Sequence, residues 1–344
     1  MKRTIPIVLA LLLMLLPLAC KPAEQETVTL ELHEVTRSVF YAPQYIALSL
    51  GFFEEEGLNV EITTSGGSEK AMTALLSGDA DLCLAGPETG VYVMNEGKED
   101  HPVIVGQLTK RDGSFLIARE PAEHFSWNDL VGKTVIGGRA GGMPIMTLRW
   151  VMAQNGLIDG ENCTIIDSIQ FNLMAGAFEG GEGDYVTLFE PTATEFQKAG
   201  KGYIVANIGL ESGEVPYTCY FASQKMIADH PERIEAFLRA IYKAQQWIET
   251  ADDEEAAKAM QPYFPDASLG SLMAVVKSYR ETDSWKKDPV MQEADYERLL
   301  AVIDFNGELT GRPDFNALVN NTFANKVSGK KRNVAQVPAP RKTV

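Results

Sequence analysis

Histidine and cysteine are scarce in this chain, four of each in 344 residues. His33, His101, His124 and His230 form no recognisable pair, and the cysteines include no CxxC and have no His-rich companion. Such a set offers neither a zinc site nor a disulfide framework. Cys83, Cys163 and Cys219 read as small buried hydrophobes in strands. Basic charge is also short, with 31 Lys and Arg against 47 Asp and Glu, a formal net charge of −16. An acidic surface argues against nucleic acid, whose phosphate backbone demands Lys and Arg. It leaves the charge of a small ligand open, because the local charge of a cleft can oppose the global one.

The apolar run from Ile5 to Leu16 is too short to span a bilayer comfortably. Lys2 and Arg3 precede it, and Leu18 and Ala19 stand just before Cys20. Residues 1–20 therefore read as a lipoprotein export signal, with Cys20 as the lipidation site that tethers the mature protein to the outer face of a membrane. An ordinary cleaved secretory signal is the alternative. Loss of Lys2 and Arg3 takes the formal charge from −16 to −18. Residues 21–27 are polar and read as a tether. At the other end, residues 326–344 hold six basic and no acidic residues, which predicts a disordered tail able to rest on anionic lipid or on the acidic body.

The rest of the chain is organised around residues 40–62, FYAPQYIALSLGFFEEEGLNVEI. Before it, Val28, Leu30 and Leu32 alternate with polar neighbours as in a half-buried strand, and a second strand is predicted from Val60 to Thr63. Between them Pro43 suits a first helical turn and Gly51 a helix stop. In a strand, loop, helix, strand unit the first loop opens at the carboxyl edge of a parallel sheet, where open α/β sheets hold ligands. Arg37, Phe40 and Tyr41 occupy that loop. The aromatics either plug the top of the sheet or face a ligand.

The same stretch resembles the opening segment of the solute-binding proteins for nitrate, sulfonates, taurine and thiamine-pyrimidine precursors. It carries an aromatic-Pro-Tyr helix, Gly-aromatic-Phe, an acidic pair, Gly-Leu and an alternating strand at that family's spacing, and the likeness runs on through Ser65–Pro87 to Tyr220. The resemblance implies an α/β, two-lobed periplasmic-binding-protein-like fold of type II. Each lobe would be a mixed sheet flanked by helices, with the ligand cleft between them. It implies lobe 1 over 28–120 and 210–325 and lobe 2 over 121–209. The segments Ser114–Glu120 and Glu211–Tyr220 would be the crossings about which the cleft closes.

Several turns are then candidates for the cleft wall. Gly66, Gly67 and Ser68, with Ser68 as N-cap, open a helix whose amides can turn toward an anion; any strand-to-helix turn looks similar. Gly86, Pro87 and Thr89 follow the strand Leu82–Ala85, and Asp79 and Asp81 before that strand read as turn residues. Arg139, Gly141 and Gly142 lie in a glycine-rich turn into a helix from Pro144 to Asn155, a second anion-friendly wall. That turn lacks the Lys-Ser/Thr pair of a phosphate loop, so nucleotide binding is not expected. Glu190 before Pro191 resembles the family's second-lobe motif and is placed either on the ligand or Arg139, or simply at a helix entry. Tyr217 is placed on the ligand or in the core.

Further helices are expected at Asp229–Glu249, Asp253–Met260, Ser268–Tyr279 and Pro289–Phe305, the last capped by Asp288. The expected function is a monomeric, lipid-anchored solute-binding protein that needs no cofactor, metal or catalytic residue. It would deliver a small solute to the permease and ATPase of an ABC importer. The solute is either a flat heterocycle stacked on Phe40, Tyr41 and Tyr217 or an oxyanion held by Arg139 and the helix starts. The alternative is an enzyme on the same fold, of the pyrimidine-precursor-synthase or menaquinone-pathway kind. The cysteine cluster of the yeast-type pyrimidine synthase has no counterpart in this sequence.

Overall fold

The computed structural model describes residues 27–97 and 100–330. Cys20, the signal over 1–20, the tether to residue 26 and the tail from residue 331 lie outside the described residues. Residues 326–330, expected in the tail, belong to the folded body. A helix runs over Thr322–Val327, Lys326 pairs with Glu235, and Lys330 Nζ stands 2.7 Å from Asp288 Oδ2.

Alternation builds β1 (Val28–Glu34), with Leu30, Leu32 and Glu34 turned inward. β2 (Leu58–Thr64) pairs with it in parallel. Parallel neighbours need a crossover, supplied by the helix Ala42–Ser49, with Pro43 in its first turn and Gly51 just beyond its end at φ 72°. The helix Ser68–Ser77 leads to β3 (Leu82–Ala85), and the helix Glu88–Asn95 to β4 (Val103–Thr109). Asp81 accepts a hydrogen bond from the Glu31 amide at 2.9 Å and Asp79 one from the Ser77 hydroxyl at 2.7 Å, as turn residues do.

The pattern then repeats. β5 (Ser114–Ala118) enters a second sheet, followed by β6 (Thr134–Ile136), β7 (Thr164–Ile166), β8 (Tyr185–Phe189) and β9 (Tyr203–Asn207), after which β10 (Thr218–Ala222) returns to the first. The orders are β2-β1-β3-β10-β4 and β7-β6-β8-β5-β9. In each sheet the fourth strand is antiparallel to its neighbours and comes from the crossing out of the other sheet. The two sheets thus share one topology and exchange one strand.

Three sequence expectations change here. Ser114–Glu120 is expected as the crossing out of the first lobe, but β5 pairs with β8 and β9, so the outward crossing is at 110–113. A fully buried strand has no polar face, and its pattern cannot say which sheet it joins. The stretch from Glu161 to Ile169 reads in sequence as one strand, but only β7 forms there, because Glu161 and Asn162 belong to the turn before it. The late helix starts at Glu293 after Gln292; Asp288 instead accepts from the Val290 amide at 3.1 Å in the preceding turn.

Cys83 and Cys219 are free and buried in β3 and β10, as expected, while Cys163 is free and buried just before β7 rather than in a strand. The helix Pro231–Thr250 presses its stripe of Ile234, Phe237, Leu238, Ile241 and Ile248 into the core. There the Phe237 ring lies 5.2 Å from Phe53 and 4.9 Å from Tyr220, centroid to centroid.

The two crossings lie against each other. The Val215 amide donates to the Lys110 carbonyl at 2.9 Å, and Lys110 Nζ reaches Glu214 at 3.2 Å and Asp283 at 2.5 Å. Gly209 packs so closely that an added Cβ would sit 2.1 Å from the Asp112 carbonyl oxygen, a backbone atom with little freedom to yield. Gly209→Ala should therefore destabilise the protein by about 1–3 kcal/mol, read from the urea midpoint. Gly270→Ala, inside a helix and with nothing within 4 Å of the new methyl, should be neutral or stabilise by up to about 1 kcal/mol. Equal effects of the two would mean that the crossings are not tightly packed.

Candidate functional site: a cleft between the two sheets

The loops at the carboxyl ends of β1, β2 and β3 face those at the carboxyl ends of β6, β7 and β8. Between them is a cleft of about 190 Å³, smaller than the roughly 300–1,000 Å³ of sites for drug-sized ligands. Its first wall carries Tyr41, Gly66, Gly67, Ser68, Gly86, Thr89 and Tyr217, and its second carries Arg139, Gly141 and Gly142. Ten residues singled out from sequence are thereby gathered around one space.

Four others do not line it. Arg37 pairs with Glu34 at 3.0 Å and lies over the Tyr45 ring at 5.3 Å. Glu34 is itself fully buried and accepts from Gln44, Tyr45 and Thr64 at 2.7–2.9 Å, so Arg37 holds β1 to its helix. Phe40 is 1% exposed and packs on Tyr41, Tyr217, Phe189 and Tyr279 at 5.2–5.9 Å between ring centroids. It plugs the hinge behind the cleft. Pro87 supplies only the turn into the next helix. Glu190 accepts from the Thr194 amide at 2.9 Å and hydroxyl at 2.8 Å, a helix-entry role without a bond to Arg139.

Ser68 also differs in detail. Gly67 occupies the N-cap position, and the Ser68 hydroxyl accepts from the Gly86 amide at 3.1 Å, tying two wall loops together. Arg139 is engaged as well, at 2.8 Å from Glu69 across the cleft mouth. Both partners are close to half exposed, so the pair contributes only about 0–1 kcal/mol. Tyr92 donates to the Gly141 carbonyl at 3.0 Å from wall to wall. The cleft is closed.

The residue that sequence inspection passed over is Glu88. Its side chain is 3% exposed, its Oε2 has no hydrogen-bond partner, and it lines the cleft. Burial pushes its carboxyl up to about 8, against the backbone amides of Glu88 and of Met143, which favour the charged form. Those amides begin the helices Glu88–Asn95 and Met143–Gln154, one from each wall. The signal for this was Gly86. A Cβ there would lie 2.1 Å from Glu88 Oε2, so glycine leaves the room in which the carboxyl group sits.

Aromatic area completes the lining. Phe171 and Phe189 meet at a tilt of 57° with 5.3 Å between centroids on the second wall, opposite Tyr41 and Tyr217. Tyr217 lies beside Asp112, whose burial raises its carboxyl to about 6 against the pull of the Ser114 hydroxyl and amide.

The family model described as NMT1/THI5 like matches residues 39–256. This chain belongs to the NMT1/THI5-like family. It is 42% identical over 314 residues to the inferred binding protein YtlA of Bacillus subtilis (strain 168), covering 91% of this chain and 93% of that one. Among solved structures it resembles the alkanesulfonate-binding protein SsuA from Xanthomonas axonopodis pv. citri bound to MOPS. That likeness has a TM-score of 0.69 at 16% identity and covers 86% of this chain and 99% of the other. The periplasmic nitrate-binding protein NrtA from Synechocystis PCC 6803 gives a TM-score of 0.68 at 17% identity over 88% and 89%. Likeness at such identities is one of fold, and the fold is the two-lobed one that the opening segment implied.

The sign of the Glu88 effect follows from its raised pKa. A carboxyl that ionises near 8 in the closed protein and near 4.5 when solvated stabilises the closed form fully below about 4.5, and that contribution is lost as the pH rises through about 8. Glu69 and Arg139 act on the same group in opposite senses. Between pH 5 and pH 9 the wild type should therefore lose up to a few kcal/mol relative to Glu88→Gln, measured as the difference between their urea-unfolding curves. Parallel curves across that range would show that Glu88 is solvated.

Proposed function

We propose that this chain is the exported solute-binding protein of an ABC importer, which captures one small solute by closing two lobes over it and hands it to the permease and its ATPase. The observation that carries this reading is the cleft itself. Its walls are the strand-end loops of two separate sheets, the sheets are joined by two adjacent crossings, and Tyr92–Gly141 and Arg139–Glu69 bonds latch the mouth. Hinged closure uses such an arrangement.

The family and the names of the similar proteins point the same way, since SsuA and NrtA are named for binding alkanesulfonates and nitrate. A small sulfonate, nitrate or taurine, or a thiamine-pyrimidine precursor, are the solutes to be compared first. Tyr41 and Tyr217 supply stacking area, and Gly66, Gly67, Ser68, Gly86, Thr89, Arg139, Gly141 and Gly142 shape the walls. Among the described residues the lining has no His, Cys or Lys, and the Ser38, Ser68 and Thr89 hydroxyls are bonded to backbone groups, whereas an activated nucleophile is bonded to its base. The amino-terminal sequence supports a lipid anchor at Cys20 on the outer face of the cytoplasmic membrane, and a monomer suffices for capture.

A thermal-shift screen across those solutes at generous concentration should single out one chemical class. The chosen solute should be recovered unchanged, and its binding should shrink the radius of gyration in solution scattering. Tyr41→Ala should weaken it by about 1 kcal/mol. Conversion of the solute would replace this reading with the enzymatic one.

Anchoring is tested separately. Labelled palmitate should enter the wild type and be absent from Cys20→Ala, with solute affinity equal in both. Unlabelled wild type would remove the lipid anchor.

A further inference from the structure

Three helix starts and the one arginine of the lining, groups suited to an oxyanion, already face an acid of the chain. The helix Glu88–Asn95 and the helix Met143–Gln154 turn their first amides on the Glu88 carboxyl. Glu69 folds over the start of the helix Ser68–Ser77, where its Oε1 would lie 2.8 Å from a Cβ on Gly67, and it also takes Arg139. The charged residues of the lining are Glu69, Glu88 and Arg139, which leaves one negative charge in excess when Glu88 is ionised.

Glu88 Oε2 is buried and unpartnered at the cleft wall, as is the Tyr217 hydroxyl. The hydroxyls of Tyr41, Tyr92 and Tyr217 all feel the Glu88 charge, which adds to burial in raising them. A carboxylate within a lining that also holds Tyr41, Tyr92, Phe171, Phe189 and Tyr217 offers negative charge beside aromatic side chains, a setting that attracts a cation. A buried acid left unpaired is costly, and a cationic partner removes that cost.

We propose that the solute is a small organic cation, an ammonium or amidinium group on a compact body, seated on Glu88 among Tyr41, Tyr92 and Tyr217, and that the cleft rejects oxyanions. This deepens and rests on the solute-binding reading above. It assigns to Glu88 the charge recognition that the sequence had placed on Arg139.

The test uses probes matched in shape and different in charge: benzamidinium, benzamide and benzenesulfonate, with tetramethylammonium and methanesulfonate as a smaller pair. Calorimetric titration of the folded full-length protein, Glu88→Gln and Arg139→Ala should show the cationic probe of at least one set binding tenfold or more tightly than its neutral or anionic counterpart. Glu88→Gln should remove that preference and raise the relative affinity of the sulfonate. Arg139→Ala should leave the cation bound. Glu88→Gln keeps the size of the side chain, and its unfolding midpoint at pH 5 checks that it folds. Tighter binding of the sulfonates by wild type overturns the cation assignment while the solute-binding reading stands, and so does a cation preference unchanged in Glu88→Gln. If no probe of any charge binds and the wider solute screen is also blank, both fall together.

Discussion

The arrangement depends on one contact, the Phe40 ring against Gly113. A Cβ at position 113 would lie 2.6 Å from that ring, so glycine admits Phe40 into the crossing between the sheets. From there Phe40 touches Phe189 of β8 as well as Tyr217 and Tyr279. Tyr279 donates to the Gly113 carbonyl at 3.1 Å and accepts from the Glu190 amide at 3.2 Å, and Trp285 holds the Phe40 carbonyl at 2.9 Å. The opening segment, both crossings and a carboxyl-terminal helix meet at one aromatic side chain. Tyr41, next in sequence, then has its position in the cleft wall fixed from behind.

Glycine has the opposite task at position 86. There it makes room for a charge rather than a ring, and the Glu88 carboxyl takes the place before two helix amino ends where an anion would otherwise be bound. A scaffold of this kind can change the charge of what it accepts without changing its fold. The acid comes from the chain itself, so the helix starts serve as positioning donors for Glu88.

Much of the frame was legible before the structure. Pro43, Gly51 and the alternation of β1 and β2 describe a local unit whose period and stops are set by neighbours in sequence, and the unit came out as expected. The glycine-rich turns meet at one space, because strand-end loops in parallel sheets share an edge. Side-chain partners were less legible. Phe40 is held by residues from three later segments and Arg139 by Glu69, pairings that leave no periodic trace, and Arg37 turns to Glu34, three residues back, a carboxylate whose burial depends on Gln44, Tyr45 and Thr64. Glu88 was visible in the tetrapeptide Gly86-Pro87-Glu88-Thr89, yet an acid at a helix start has an ordinary explanation as a partner of the helix dipole. Its burial came only with the second wall.

The exchanged strands carry a consequence for biosynthesis. Strands β5 to β9 are contiguous in the chain, so the second sheet can assemble as soon as Asn207 is available. The first cannot, because β10 lies between β3 and β4. Until residue 222 has emerged, β3 and β4 have no neighbour on their facing sides, and the first sheet remains two fragments with open hydrogen-bonding edges. Contacts between such distant segments form slowly. An unfinished chain can thus complete its second sheet while the first still waits in open fragments for β10.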